Sequence, residues 1–260
     1  MIEDLRTERL HERISGTWGR SLELLESTAS TMDDASAAAA NGAADGHVVL
    51  ADQQTRGRGA HGRHWVSPPC LDLYFSVVAR PAVEPASTAL VTLASGLGVR
   101  DAVASLLPER SVRVKWPNDV WIGKRKCAGV LVESRTVGMR IDSVIIGVGL
   151  NVNRMQWPAD LADTATSLRA ERGIEEPLDR ADVLAAVLSN MERWVKRFIQ
   201  DGAPVVVNAL RPRLALLGER VRWEDGMGTF EGIDDDGAAR VRTGTGLVSL
   251  HSAHLEPITD

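Results

Sequence analysis

The sequence predicts a mixed protein of α-helices and β-strands, with a large domain over residues 1–213 and a small C-terminal β-barrel over residues 214–260. Three observations predict this fold class. Strand-like and helix-like segments alternate along the first domain, and short strand-like runs separated by turn residues follow Gly218. The length of 260 residues also allows one large core and a minor second unit.

The composition is that of an ordinary globular protein, with 44% hydrophobic and 25% charged residues. A net charge of −5 argues against DNA or another long polyanion as the partner. The first residues lack the basic and apolar regions of a signal peptide, and no apolar run approaches the ~20 residues that span a bilayer. We therefore expect a cytoplasmic protein with no membrane contact.

Two cysteines, Cys70 and Cys127, lie far apart in the chain, each within an apolar run. Strand cysteines of this kind are typically buried thiols, and reduced thiols fit a reducing compartment. We expect neither a disulfide nor a metal site from this pair.

The N-terminal elements follow from cap and turn residues. Residues 1–20 lack strong periodicity and predict a short helix or a loose lead-in, and residues 21–25 predict the first strand. Ser30-Thr31-Met32-Asp33 is typical of a helix start, because Ser and Thr favour N-caps and Asp suits the first turn. The alanine-rich run that follows ends at Asn41-Gly42, a typical C-cap.

Apolar runs predict the central elements. Residues 47–53 and 71–79 predict strands, and residues 87–107 predict a long helix that Pro108 closes. Four more strands are expected over residues 112–115, 119–122, 128–133 and 143–150. A hairpin through Val137-Gly138-Met139 is expected to join the last two.

Residues 180–200 predict an amphipathic helix. Its apolar side chains recur at the spacing of one helix face and are expected in the core: Val183, Leu184, Val187, Leu188, Met191, Trp194, Val195, Phe198 and Ile199. A second helix is expected over residues 204–217. The barrel strands are expected over residues 221–223, 228–233, 239–243 and 247–250. A unit of ~45 residues is too small for a large core, so it should pack against the main domain.

Residues 54–65, the Gly/Arg loop, form the most informative segment, because three glycines and three arginines occur within them. Glycines let a backbone approach a ligand and present its N–H groups to it. Arginines bind phosphate or carboxylate oxygens as planar forks. A basic loop on an acidic protein therefore indicates a small anionic ligand.

Other interpretations of this loop are weaker. Its glycines formally match the G-x-G-x-x-G fingerprint of dinucleotide-binding folds, but Ser67-Pro68-Pro69 stops the helix which that fingerprint requires. An arginine-rich surface turn is the plain alternative, although so many glycines cost folding entropy. The chain contains no P-loop or hydrolase-elbow motif, and His61 and His64 lack the companions of a zinc site.

Three further segments hold candidate site residues. Lys115-Trp116-Pro117-Asn118-Asp119 indicates a strand end that turns sharply, at a site or at the surface. Lys126 stands at the head of an apolar strand, where a lysine reaches either solvent or a ligand. Residues 147–153 end a strand with two glycines and two asparagines. The asparagine amides suit adenine edges or phosphate oxygens, and the alternative is a plain turn at the end of a strand.

In their order along the chain, these motifs resemble those of the biotin protein ligases, also called biotin–[acetyl-CoA-carboxylase] ligases. The resemblance spans about residues 21–257 and rests on residues 30–33, 54–59, 62–65, 115–119, 126–129, 147–153 and 165–168. It implies a catalytic domain with a mixed sheet and helices against one face, like class II aminoacyl-tRNA synthetases, followed by an SH3-like barrel.

The larger bacterial members of that family carry an N-terminal winged helix that binds DNA. Only about 20 residues precede the catalytic domain here, so we expect the form without this unit and no DNA partner. The resemblance fits either a monomer or a homodimer.

The resemblance also implies roles for individual residues. Biotin contacts are implied for Ser30, Thr31, Met32, Gln54, Gly57, Arg58, Gly59, Ala60, Lys126 and Gly129. ATP and adenylate contacts are implied for Arg58, Arg63, Trp65, Lys115, Asn118, Lys126, Asn151 and Asn153. The implied catalytic cations are Lys126, Arg58 and Lys115, and no metal ion is expected on the protein itself.

The activity implied is ATP-dependent biotinylation of a specific lysine on a biotin carboxyl carrier domain, through biotinyl-5′-AMP. Biotin and ATP are the substrates, and Mg²⁺ is expected to accompany ATP. Two alternatives stay open. One is a lipoate or octanoate ligase, which shares the fold, and the other is a biotin-binding module with impaired catalysis.

Two positions depart from the family pattern. Ala60 stands where the family usually has Arg, which closes the loop over the acyl-adenylate. Weaker retention of the intermediate is therefore expected. Met32 stands where Asn is commoner.

Overall fold

A seven-stranded sheet forms the centre of the molecule. The computed structural model describes residues 3–137 and 140–258. Its first seven strands are β1 Leu22–Thr28, β2 His47–Gln54, β3 Leu73–Ala79, β4 Val112–Lys115, β5 Asp119–Ile122, β6 Arg125–Val137 and β7 Arg140–Leu150. They lie in the order β1-β2-β3-β7-β6-β5-β4, with β1 and β2 parallel and the other pairs antiparallel. The predicted mixed α and β fold is confirmed.

Helices cover both faces of this sheet. They are α1 Thr7–Arg13, α2 Thr31–Ala40, α3 Thr88–Leu106, α4 Leu168–Arg172, α5 Arg180–Asp201 and α6 Ala203–Leu210. The main core joins α3 and α5 to one face, whereas α2 forms a separate small cluster with Val49, Val78 and Ile145. Because neighbouring strand residues point to opposite faces, α2 lies on the other face. The expectation of helices against one face was therefore wrong.

The boundaries of the helices largely follow the sequence. As predicted, α2 has Ser30 at its N-cap and Asn41 at its C-cap, followed by Gly42 with a φ of 86°. The predicted stripe of α5 is buried except for Ile199, which is 40% exposed. The helix expected to reach residue 217 ends at Leu210, because Pro212 falls in the next turn and allows only a 3₁₀ turn there.

The second sheet is antiparallel and lies against the first domain. Its strands are β8 Arg220–Trp223, β9 Gly226–Ile233, β10 Ala239–Thr243, β11 Gly246–Leu250 and β12 Glu256–Pro257, in the order β11-β10-β9-β8-β12. The indole N–H of Trp116 donates to the Gly237 carbonyl at 2.9 Å, and the Ala215 N–H donates to the Val114 carbonyl at 2.8 Å. The sequence had not predicted β12, and the division at residues 213 and 214 stays a prediction.

Two expectations about apolar segments need correction. Cys127 is buried in β6, but Cys70 is exposed and lies outside a strand, with a φ of 65°. By length and hydropathy α3 is able to cross a membrane, yet 61% of its apolar window is buried, as in the core helix of a globular fold.

The structure describes the two strands of the predicted β6–β7 hairpin but not its turn. The two strands pair as antiparallel neighbours as far as Val137 and Arg140. Gly138 and Met139, which would form the turn, lie outside the described residues.

Candidate active site

A cavity of about 1260 Å³ opens on the face of the central sheet that also carries α2. Its walls come from the start of α2, the Gly/Arg loop, the β4–β5 hairpin and residues of the C-terminal sheet. The site is therefore assembled from segments that are distant in sequence, and both sheets contribute to it.

Glycines on two neighbouring strands form the floor of this cavity. Gly129 of β6 pairs with Gly149 of β7, and Gly147 lies two residues earlier on the same face. A Cβ on Gly149 would lie 2.3 Å from Cε2 of Trp65, and one on Gly147 would lie 2.3 Å from Sδ of Met32. The missing side chains therefore leave room for Met32 and Trp65 to approach the strands.

Polar groups at the start of α2 form one end of the cavity. The carboxamide oxygen of Gln54 accepts the Thr31 backbone N–H at 2.9 Å, and the Thr31 hydroxyl lies 2.9 Å from that of Ser76. Ser30 occupies the N-cap position, but its hydroxyl makes no capping bond. Although 1% exposed, Ser30 Oγ lacks a hydrogen-bond partner among the described residues. Buried hydroxyls normally have a partner, so this one is available to a ligand.

The Gly/Arg loop folds back on itself as a narrow hairpin. The Trp65 N–H donates to the Gly57 carbonyl at 2.9 Å, and the Gly59 N–H donates to the Arg63 carbonyl at 2.8 Å. A Cβ on Gly57 would lie 2.5 Å from the Trp65 oxygen, so glycine is required there. The Gly59 N–H is therefore used within the loop, and the biotin contact implied for Gly59 stays a prediction.

Arg58 lies in the cavity wall, and its charge is shared with two carboxylates. Its guanidinium pairs with Asp33 at 2.7 Å and also with Glu133. All three side chains are well exposed, so each pair contributes at most ~1 kcal/mol and weakens with salt. Arg58 therefore fastens the loop to α2 and β6 as well as presenting a cation.

Two lysines and one aspartate form the charged centre of the cavity. Lys126 Nζ lies 2.7 Å from Asp119 Oδ1, and its ammonium lies 5.1 Å from the centre of the Trp65 ring. Lys115 lies 5.4 Å from the ring of Trp121 and is 4% exposed. The pKa of Lys115 is lowered to about 8, mainly by burial; Asp119 opposes this shift, and the charges of Lys126 and Arg63 add to it. The centre holds more cations than anions and suits an anionic ligand.

The predicted asparagines differ in their placement. Asn118 and Asn151 line the cavity, and their Nδ2 groups donate to the carbonyls of Val130 at 2.7 Å and Thr166 at 3.0 Å. Asn153 does not line the cavity. Its amide is paired on both sides with the backbone of Leu178, at 2.8 and 2.9 Å. Asn153 therefore fixes the backbone at Leu178, and its implied contact with the adenylate stays a prediction.

A buried ion pair supports the wall beyond the loop. Arg154 donates to Asp72 at 2.8 Å through Nε and to the Val66 carbonyl at 2.9 Å. Tyr74 joins the pair, and burial followed by the charge of Asp72 raises the pKa of its phenol. This network fixes the chain where the Gly/Arg loop ends.

Most of the predicted site residues come together in this one cavity: Ser30, Thr31, Met32, Gln54, Arg58, Gly59, Ala60, Arg63, Trp65, Lys115, Asn118, Lys126, Gly129 and Asn151. Gly57 lines an adjoining recess of about 380 Å³ under the same loop. Sequence reasoning missed the wall residues Trp121, Arg154 and His254. It singled out the segments that hold Asp119, Gly147 and Gly149 but gave these three residues no role, although a glycine inside a strand marks a close approach.

Comparison with known proteins places this arrangement in a family. Residues 24–151 match the model of the Biotin/lipoate A/B protein ligase family, and residues 216–254 match that of the Biotin protein ligase C terminal domain. The biotin–[acetyl-CoA-carboxylase] ligase of Mycobacterium tuberculosis is 36% identical, with 86% of this chain and 84% of that protein covered.

The chain belongs to the biotin protein ligase family.

Two further members of the family extend the comparison. The bifunctional ligase/repressor BirA of Bacillus subtilis is 33% identical over 87% of this chain and 71% of its own length. The biotin protein ligase of Aquifex aeolicus, solved in complex with biotin and ATP, has a TM-score of 0.79 at 29% identity. The match covers 92% of this chain and all of that one. Within the family, the cavity described above is the candidate active site.

Proposed function

We propose that this chain joins biotin to a lysine of a biotin carboxyl carrier domain, with ATP as the energy source and biotinyl-5′-AMP as the intermediate. The observation that carries the proposal is the charged centre, in which Lys115 and Lys126 flank Asp119 beside the glycine floor. The carboxylate of one substrate and the phosphates of the other need such a centre.

The first step brings two anions together. A carboxylate oxygen of biotin attacks the α-phosphorus of ATP, the bond to the β-phosphate oxygen breaks, and pyrophosphate leaves. Catalysis of this step needs positioning and fixed positive charge more than a covalent nucleophile. In this proposal Lys126 approaches the carboxylate and the α-phosphate, and its contacts with Asp119 and Trp65 support the role by holding the ammonium in position. Lys115 and Arg58 supply further charge for the phosphates.

Magnesium is proposed to enter bound to ATP. Mg²⁺ is usually held by one or two carboxylates together with substrate phosphates and water. The wall holds the carboxylates of Asp119, Glu219 and Glu256, and Lys126 already pairs with one oxygen of the buried Asp119. The ion is therefore expected to depend mainly on the phosphate oxygens.

The second step forms the amide. The amine of the carrier lysine attacks the acyl carbon of the mixed anhydride, AMP leaves, and the amine gives up its proton. AMP is a far better leaving group than the oxide of free biotin, which explains why activation precedes transfer.

The polar end of the cavity is proposed to hold the biotin ring system. Ser30 Oγ is unpartnered, while Thr31 and Gln54 are positioned by their own hydrogen bonds. Met32 supplies an apolar contact over Gly147. A bicyclic ring with polar edges fits this mixture better than a purely aliphatic acyl chain does.

The test is a pyrophosphate-release assay with purified enzyme and ATP, run with biotin and separately with lipoate. We expect biotin-dependent release, followed by transfer of label to a carrier domain but not to its Lys→Arg variant. Release with lipoate alone would identify a lipoate ligase. Biotin binding without release would identify a module with impaired catalysis.

The same proposal specifies the partner, the compartment and the assembly in which the reaction takes place. The partner is the carrier domain of a biotin-dependent carboxylase, met in the cytoplasm. The chemistry requires neither DNA nor a membrane, and a monomer or a homodimer is able to perform it.

A further inference from the structure

One side chain from the C-terminal sheet reaches the wall of the candidate active site. His254 lies between β11 and β12, and its neighbours Ala253 and Leu255 are buried in the main core. The backbone N–H of His254 also points at the Glu224 carboxylate, at 3.3 and 3.4 Å. The segment is therefore anchored, and its imidazole lines the cavity.

This imidazole contacts the Gly/Arg loop directly. The two terminal nitrogens of Arg63 lie 3.1 Å from Nε2 and 3.4 Å from Nδ1 of His254. Arg63 also donates from Nε to the Ala60 carbonyl at 3.2 Å, and the His61 ring centre lies 6.4 Å from that of His254. The contact thus joins the tip of the loop to a different sheet.

In this contact Arg63 is the cation and the His254 imidazole is a neutral acceptor. Burial lowers the pKa of His254 to about 4, and the charges of Lys115 and Arg63 act in the same direction, against the smaller opposite effects of Asp119 and Glu256. A neutral ring offers one nitrogen lone pair to the guanidinium. His254 is therefore suited to hold Arg63 without adding a charge.

We propose that His254 is a positioning residue that holds the Gly/Arg loop closed through Arg63, so that the C-terminal sheet controls how long the cavity retains its acyl-adenylate. Ala60, which also lines the cavity, ends at Cβ and provides no long side chain for this purpose. The part concerning the adenylate rests on the proposed function, whereas the contact with the loop does not.

A test without any ligand uses trypsin, because the loop contains cleavable bonds after Arg56, Arg58 and Arg63. We expect His254→Ala to speed cleavage within residues 56–63 at least fivefold. His254→Gln, which keeps an acceptor near the position of Nε2, should recover most of the protection. The matched control is His11→Ala, since His11 is exposed on α1, and it should cleave at the wild-type rate. Thermal unfolding of each variant checks that the fold is intact.

A second readout follows labelled biotinyl-5′-AMP as it leaves the preformed complex. We expect His254→Ala to raise the dissociation rate about tenfold. Because His254 acts through Arg63, the double variant Arg63→Ala/His254→Ala should release the adenylate no faster than Arg63→Ala alone.

Two results would overturn the proposal. One is a cleavage rate and a dissociation rate in His254→Ala that both stay within twofold of wild type. The other is a double variant in which the separate effects of Arg63→Ala and His254→Ala on the dissociation rate multiply. Failure of the proposed function is separate and visible, because the wild-type enzyme would then form no biotinyl-5′-AMP. The trypsin result would still decide whether His254 holds the loop.

Discussion

Lys126 is the residue on which the proposed chemistry depends most. Its ammonium is held between a carboxylate and the face of an indole, at 2.7 Å from Asp119 Oδ1 and 5.1 Å from the Trp65 ring centre. Both neighbours attract the ammonium and restrict the side chain. The sequence indicated this lysine from its place at a strand head, but it did not indicate the partners.

We expect Lys126→Ala to slow adenylation at least 100-fold, a loss of ~3 kcal/mol in transition-state stabilisation. The measurement is biotin-dependent pyrophosphate release. Lys196→Ala is the control, since Lys196 lies on α5 outside the cavity wall and pairs with Glu192; it should retain full activity once thermal unfolding shows the fold to be intact. Near-normal release by the Lys126 variant would refute its assigned role.

Lys115 predicts a pH dependence. Its pKa is lowered from 10.5 to about 8, so the charged form that binds phosphate is lost as the pH rises through 8. We expect kcat/KM for ATP in the adenylation step to fall above about pH 8, because this parameter reports the free enzyme. In Lys115→Arg the side chain stays charged, so kcat/KM for ATP should remain constant to a higher pH than in the wild type. A decline at the same pH in both enzymes would show that another group titrates.

Ala60 predicts weak retention of the intermediate. Its side chain lines the cavity but ends at Cβ, whereas the family resemblance implies an arginine at this position. We expect Ala60→Arg to slow dissociation of biotinyl-5′-AMP roughly tenfold, equivalent to ~1.4 kcal/mol. Thr55→Arg adds the same charge at an exposed position near the start of the loop and serves as control. Equal dissociation rates in the Ala60→Arg variant and the wild type would remove this account of leakiness.

At the scale of the elements, the site depends on one face of β6 and β7. On this face Ile145 packs against α2, whereas Gly147 and Gly149, further along β7, leave the space in which the cavity opens. The change from isoleucine to glycine along one face of the strand therefore marks where packing against α2 ends and the floor of the cavity begins.

Gly149→Ala tests this interpretation. The new Cβ would meet Trp65 at 2.3 Å, and the rigid indole has to move off the floor and away from Lys126. We expect adenylation to fall at least tenfold while the fold survives. Gly244→Ala is the control, since no atom lies within 4 Å of its Cβ position. Unchanged kinetics and unchanged indole fluorescence in Gly149→Ala would contradict the role given to the floor.

Element boundaries were largely predictable because local signals determine them. Asn41 and Gly42 end α2, and the apolar stripe of α5 marks the face that packs in the core. The signals fail where long-range packing decides. Cys70 lies in an apolar run yet is exposed at the surface, and the Asn153 amide forms its hydrogen bonds with the distant backbone of Leu178. No spacing rule reveals such a partner.

At the scale of the whole molecule, the two sheets act as one unit around the cavity. Trp116 follows Lys115 in the chain, and its indole N–H donates to the carbonyl of Gly237, in the turn between β9 and β10, at 2.9 Å. The same motif therefore contributes a cation to the site and anchors the domain that brings His254 there. The sequence predicted a small C-terminal unit that packs on the main domain, but its contribution to the wall arises from docking, which local patterns do not encode.

The most direct test of this account is a crystal structure of the chain with biotinyl-5′-AMP. We expect the biotin ring beside Ser30, Thr31 and Gln54, the acyl phosphate within hydrogen-bonding distance of Lys126, and the Gly/Arg loop over the ligand. An adenylate bound outside this cavity, with Lys126 still paired only to Asp119, would contradict the account.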